Sequence, residues 1–166
     1  AEYGINYEAG IKTSWLQQRL YVEVNAFHYQ LQNAIVLRRD NTNADYFINA
    51  GSTRQRGIET LASYQLLPNS RRFVTDAVIR LSHTWNHFRY HDFKQGTDDF
   101  GGNKLPGVAP HALAATLDIT TRPGIYTNIT WYYSDAVYLN DANTESATSY
   151  HLAGLRAGWK GKLGKQ

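Results

Sequence analysis

Apolar and polar residues alternate along most of the chain. Over residues 20–28, Leu20, Val22, Val24 and Ala26 interleave with Tyr21, Glu23, Asn25 and Phe27. Over 77–85, Ala77, Ile79, Leu81 and Trp85 oppose Arg80, Ser82 and Thr84. Over 113–119, Leu113, Ala115, Leu117 and Ile119 oppose Ala114, Thr116 and Asp118. Ile125, Ile129, Trp131 and Tyr133 oppose Asn128 and Thr130, and Ala153, Leu155, Ala157 and Trp159 oppose Gly154, Arg156, Gly158 and Lys160. A period of two repeated this often predicts an all-β protein whose strands each present one apolar and one polar face.

The connections come in two kinds. Residues 14–19, 67–71 and 121–124 are short and carry turn formers, whereas 32–52, 93–110 and 140–148 are long and polar. Short and long alternate strictly. Antiparallel up-and-down strands joined this way place every short turn at one end and every long loop at the other. That asymmetry marks a transmembrane β-barrel more than a soluble sandwich. On these grounds the expected fold class is all-β with antiparallel up-and-down strands, and both a membrane barrel and a soluble sandwich stay open.

Composition refines this picture. The longest apolar runs, such as Ala34 to Leu37, are far too short for a membrane helix, which needs roughly 20 such residues. A mean hydropathy of −0.50 does not exclude membrane strands, because their lumen-facing residues lower the average. The net charge of 17 − 14 = +3 is too dilute to indicate a nucleic-acid partner. Cys is absent, which removes disulfides and thiolate metal sites. Met is absent too, so the chain is expected to begin inside a longer protein. Twelve of the aromatic residues are Tyr, and with Trp they gather toward the strand ends, as interfacial girdles do.

Particular segments resemble a known family. Asn6-Tyr7-Glu8-Ala9-Gly10-Ile11-Lys12, Phe27-His28-Tyr29, Ile48-Asn49-Ala50-Gly51 and Arg56-Gly57-Ile58-Glu59 are similar to the barrel of TonB-dependent outer-membrane receptors. The stretch from Gly102 through Leu105-Pro106 to Pro110-His111 resembles the family's Gly-x-x-Leu-Pro-x-x-Pro segment, and Asn140 to Thr144 precedes a closing strand. The resemblance implies a 22-stranded barrel filled by a plug, in the outer membrane of a Gram-negative bacterium. It implies import of a ferric siderophore or a similar scarce nutrient, driven by the TonB complex. Under that resemblance residues 1–166 are expected to be a C-terminal-side piece, about six antiparallel up-and-down strands of a large transmembrane β-barrel, lacking the plug and the last strands. Ferric iron would enter only as part of the substrate, with no resident cofactor.

Candidate chemistry follows from loop and polar positions. Arg38, Arg39, Arg54, Arg56 and Arg89 are candidate ligand contacts, since guanidinium recognises carboxylate in bidentate fashion. Tyr46, Tyr90, Tyr138 and His91 complete the candidate set, and Arg156 occupies a polar-face position. His83, His87 and His91 would align for a metal only on a helix; on a strand, four residues span about 13 Å. His83 and His87 share the parity of Leu81 and Trp85 and are expected in the outer girdle, with His91 and Asp92 already in the loop. Neither a nucleophile elbow nor a phosphate-binding loop is present, so no enzyme and no metal site are expected. A soluble carbohydrate-binding β-sandwich, using Trp15, Trp131 and Trp159 as sugar platforms, is the alternative. Gly57, Gly101 and Gly102 read as bends, and Pro106 and Pro110 as limits on where the next strand begins.

Overall fold

The structure is a computed structural model describing residues 1–39, 42–49, 51–68 and 70–161; the side chains of Val36, Arg38, Arg39 and Asn49 lie outside the description. In chain order the strands are β1 (Tyr3–Trp15), β2 (Leu20–Gln32), β3 (Ile35–Arg39), β4 (Asp45–Asn49), β5 (Ser52–Leu67), β6 (Val74–Asp92) and β7 (Lys94–Gln95). They continue with β8 (Asp98–Asp99), β9 (His111–Thr121), β10 (Ile125–Ser134), β11 (Val137–Tyr138), β12 (Ser146–Ala147) and β13 (Tyr150–Trp159). Seven of them form one sheet in the order β1-β2-β5-β6-β9-β10-β13, against the expected six or so. Every neighbouring pair in that sheet is antiparallel. The remaining strands form three small hairpins, β3–β4, β7–β8 and β11–β12, all inserted in the long connections.

Turn chemistry sets the short end. Between β1 and β2, Leu16, Gln17 and Gln18 take φ of +54°, +57° and +67°, and Arg19 N–H closes the turn on the Leu16 carbonyl at 3.2 Å. The Arg19 guanidinium donates to the Gln65 carbonyl at 3.0 Å and lies 5.5 Å from the Tyr64 ring centre, tying this turn to the end of β5. Between β9 and β10, Gly124 at φ +91° accepts from Lys160 N–H at 2.8 Å. A Cβ at Gly124 would sit 2.0 Å from the Lys160 carbonyl oxygen, so only glycine fits.

Directly paired residues point to the same side of an antiparallel sheet, so the register assigns the faces. One continuous row runs Val22, Ala62, Leu81, Ala115, Trp131, Ala153. The next runs Leu20, Tyr64, Ile79, Leu117, Ile129, Leu155. On the other side lie Arg80 with Thr116 and Thr130, Ser82 with Ala114, and Asn128 with Asp118 and Arg156. The faces expected from parity are those observed. Among the described residues no layer covers the apolar face: Ile11 is 64% exposed and Leu155 73%.

The compact core sits at the long-loop end instead. Phe93, 1% exposed, packs its ring 4.8 Å from Tyr90 and 5.3 Å from Phe100, with Ala34, Leu31, Ile48 and Leu105 around them. Strand β6 reaches Asp92, beyond the start of the loop expected at His91, because pairing with β5 continues through Tyr90–Thr53 and Asp92–Ser52 across a bulge. Gly57 is not a bend. It lies inside β5, where the Phe27 ring rests over it: an added Cβ would meet Phe27 Cζ at 2.6 Å and the Trp85 carbonyl oxygen at 2.4 Å. Gly102, at φ +84°, does take the left-handed conformation.

Candidate functional site

The polar face carries paired groups. Glu23 accepts from Tyr21 Oη at 2.6 Å and Asn25 Nδ2 at 2.9 Å, and meets Lys12 Nζ at 3.0 Å. Asp118 accepts from Arg80 and from Asn128 Nδ2, the latter at 2.7 Å. These are charge-assisted contacts, which make a hydrophilic wall affordable without leaving ions unpaired.

At the long-loop end the two later connections are tied together. Tyr90 Oη donates to Asp141 Oδ1 at 2.6 Å, Asn103 Nδ2 to the Asp141 carbonyl at 2.8 Å, and Gly107 N–H to the Tyr138 carbonyl at 2.8 Å. Asn143 bonds Lys104 in both directions, accepting its N–H at 2.8 Å and donating to its carbonyl at 2.9 Å. Lys104 Nζ lies 5.5 Å from the Tyr138 ring centre. In the β7–β8 hairpin, Gly101 N–H donates to Asp99 Oδ1 at 2.9 Å. That bond, helped by Lys94 Nζ at 3.5 Å, holds the Asp99 carboxyl below the ordinary carboxylate range.

Of the candidate ligand residues, Arg54, Arg56, Arg89 and His91 come together around one concavity of about 400 Å³, lined also by His28, Gln30, His87, Tyr90 and Gly102. They face the side opposite to the one their polarity suggested. Arg56 pairs with His28 and His87, and Arg54 with Gln30 and Arg89, in rows that follow Ala26, Ile58 and Trp85 along the apolar face. Counting parity from Ile58 through Arg56 to Arg54 would have found this in the sequence, as it did for His83 and His87. Tyr90 belongs to the buried loop-end core and Tyr138 to the Lys104 contact. Tyr46 is exposed on the β3–β4 hairpin, away from the cluster in the chain. The side chains of Arg38 and Arg39 lie outside the described residues. Arg156 lies on the polar face opposite Asn128.

His83 Nε2 bonds His111 Nδ1 at 3.0 Å with the rings stacked 5.3 Å apart, while His87 belongs to the arginine cluster. Among the described residues no group of three His, Cys, Asp or Glu side chains could hold a metal ion.

A sequence model of the family described as TonB dependent receptor-like, beta-barrel, matches residues 1–165. The chain belongs to the TonB-dependent receptors. Solved receptors of similar fold agree. The ferric yersiniabactin uptake receptor FyuA from Yersinia pestis superposes with a TM-score of 0.72 at 18% identity, over 95% of this chain and 22% of that one. The siderophore receptor PiuA from Acinetobacter baumannii gives 0.71 at 20% identity, over 96% and 22%. The Ferric-Catecholate import receptor Fiu from K12 E. coli gives 0.67 at 17% identity, over 98% and 22%. The chain thus spans about a fifth of the length of these receptors. In a barrel of this kind the apolar face of the sheet meets lipid and the polar face lines the interior. The soluble sandwich is not favoured: seven strands in one antiparallel sheet reproduce a stretch of receptor barrel wall.

Proposed function

We propose that residues 1–166 form part of the wall of an outer-membrane receptor that imports a ferric siderophore, energised through the TonB complex. The reading rests on one observation: nearly the whole chain matches the receptor-barrel family. The three solved receptors of like fold, a ferric yersiniabactin uptake receptor, a siderophore receptor and a ferric-catecholate import receptor, support the choice of substrate class. The plug and the remaining strands come from other parts of the receptor, as does the contact with TonB. Ligand contact falls to the long-loop end, where Tyr46 and Tyr138 offer aromatic surface with hydroxyl groups. The iron is cargo carried by the siderophore.

The experiment is uptake of radiolabelled ferric siderophores, catecholate and carboxylate types in turn, by cells with and without the intact receptor gene. Energised uptake that disappears with the gene supports the proposal. Receptor-dependent uptake of cobalamin or an oligosaccharide, with no ferric siderophore transported, overturns the substrate class.

A further inference from the structure

Strand pairing brings three arginines together where the apolar face ends. Arg54 stands directly opposite Arg89, and Arg56 follows two residues along β5. Like charges directly opposed across a sheet are destabilising. Among the described residues no carboxylate forms an ion pair with any of the three. Among the described residues that line the concavity there is no Asp or Glu.

Their neighbours hold them in place without cancelling their charge. Arg89 Nε donates to His87 Nε2 at 3.1 Å, and Arg54 Nη2 lies 2.9 Å from His91 Nε2. Guanidinium is a donor only, so each imidazole nitrogen is the acceptor and neither guanidinium gains a counter-charge from it. A second bond fixes Arg89 to the Gly102 carbonyl. Lys104, bridged to Arg89 across the strand edge, adds another cation beside the cluster.

Position supplies the occupant. Tyr64, with Arg19 beside its ring, marks the short-turn rim of the apolar face. From Tyr64 to Arg56 is eight residues and to Arg54 ten, or roughly 26 and 33 Å along the strand. A tilt of about 40° brings these to about 20 and 25 Å along the membrane normal, against an apolar band about 25 Å tall. Arg54, with Arg89 opposite it, therefore lies at the headgroup edge of the band on the long-loop side, and Arg56 about 5 Å below, between that edge and the Ile58–Trp85 row, from where its long side chain reaches the same level.

We propose that Arg54, Arg56 and Arg89 form a site on the outer wall of the barrel for the phosphate groups of a phosphorylated glycolipid of that leaflet. The acyl chains would lie on the apolar rows beneath. Guanidinium binds phosphate in bidentate fashion, and the anion relieves the Arg54–Arg89 opposition. This inference rests on the outer-membrane reading above and concerns a surface that plays no part in siderophore passage.

The test uses the intact receptor in detergent, with bisphosphorylated lipid A and its dephosphorylated form as probes, read by native mass spectrometry. The phosphorylated lipid should bind about tenfold or more tightly than the dephosphorylated one, and less so as salt rises. The variant R54Q/R56Q/R89Q should lose that preference, while R54K/R56K/R89K keeps part of it; Arg122→Gln, in a short turn, should change nothing. Heat-dependent gel migration checks that each variant is a folded barrel. Equal binding of the two lipids by the native receptor, or an undiminished preference in a folded glutamine variant, overturns the proposal. Complete displacement of the lipid by millimolar inorganic phosphate also overturns it, in favour of a free-phosphate site. Ferric siderophore uptake measured in parallel separates failure of this inference from failure of the receptor reading.

Discussion

Placing one charge on each face of β6 would test the face assignment at its centre. Leu81 is the middle of the outward run Ala77, Ile79, Leu81, His83, Trp85, with Ala62 and Ala115 as its cross-strand partners. It lies four residues from either end of that run, about 13 Å along the strand at ~3.3 Å per residue. With a tilt of about 40° the ends of that run are about 10 Å away along the membrane normal, which keeps Leu81 inside an apolar band about 25 Å tall. Leu81→Arg places a guanidinium there with no acceptor on either neighbouring alanine, and the expected cost is about 2–4 kcal/mol. Ser82→Arg, one residue on, projects to the polar face beside Thr84 and Arg80 and should cost less than about 1 kcal/mol. Urea titration of the intact receptor folded into lipid vesicles measures both. If Ser82→Arg costs as much as Leu81→Arg, the registers of the central strands are wrong, because a slip of one residue exchanges the faces.

Gly57→Ala should destabilise the barrel by about 1–3 kcal/mol in the same titration, since its Cβ meets a backbone carbonyl that cannot move aside. Gly154→Ala meets only the Thr130 hydroxyl, which can rotate away, and should cost less; a larger cost at Gly154 would contradict the packing described. Phe93→Ala removes the most deeply buried ring and should cost about 3–5 kcal/mol locally, read as faster proteolysis within residues 93–110 while the strands stay protected. Because the Asp99 pKa is lowered on folding, its contribution is complete above the ordinary carboxylate value of about 3.9 and is lost as pH falls through the lower folded value. Hydrogen exchange at Gly101 should therefore be protected down to about pH 4 and then weaken, and Asp99→Asn should remove that step; weakening already between pH 7 and 5 would refute it. The isolated 166-residue chain has open edges at β1 and β13 and an uncovered apolar face, so it should associate in detergent-free buffer; a monodisperse monomer on sedimentation would count against the barrel reading.

The sequence alone determined the strands, their two faces and the separation of short turns from long loops. These are local properties: side chains alternate with a period of two, and turn residues announce themselves by type. The family was legible as well, since its motifs lie in order along the chain and the family match covers residues 1–165. For Arg54, Arg56 and Arg89 polarity alone points to a loop or a polar-face position, whereas the register sets them on the face of the apolar rows. Their parity with Ile58 and Trp85 carried that answer. Tertiary structure alone decided that Arg54 faces Arg89 across 35 residues of chain, because cross-strand register depends on turn length and on the irregularity at Gln65–Leu67 beside the turn. It also decided that Tyr90 is buried: its place depends on Phe93 and Phe100 folding back over it and on Asp141 reaching it from the next loop, contacts with no local signature.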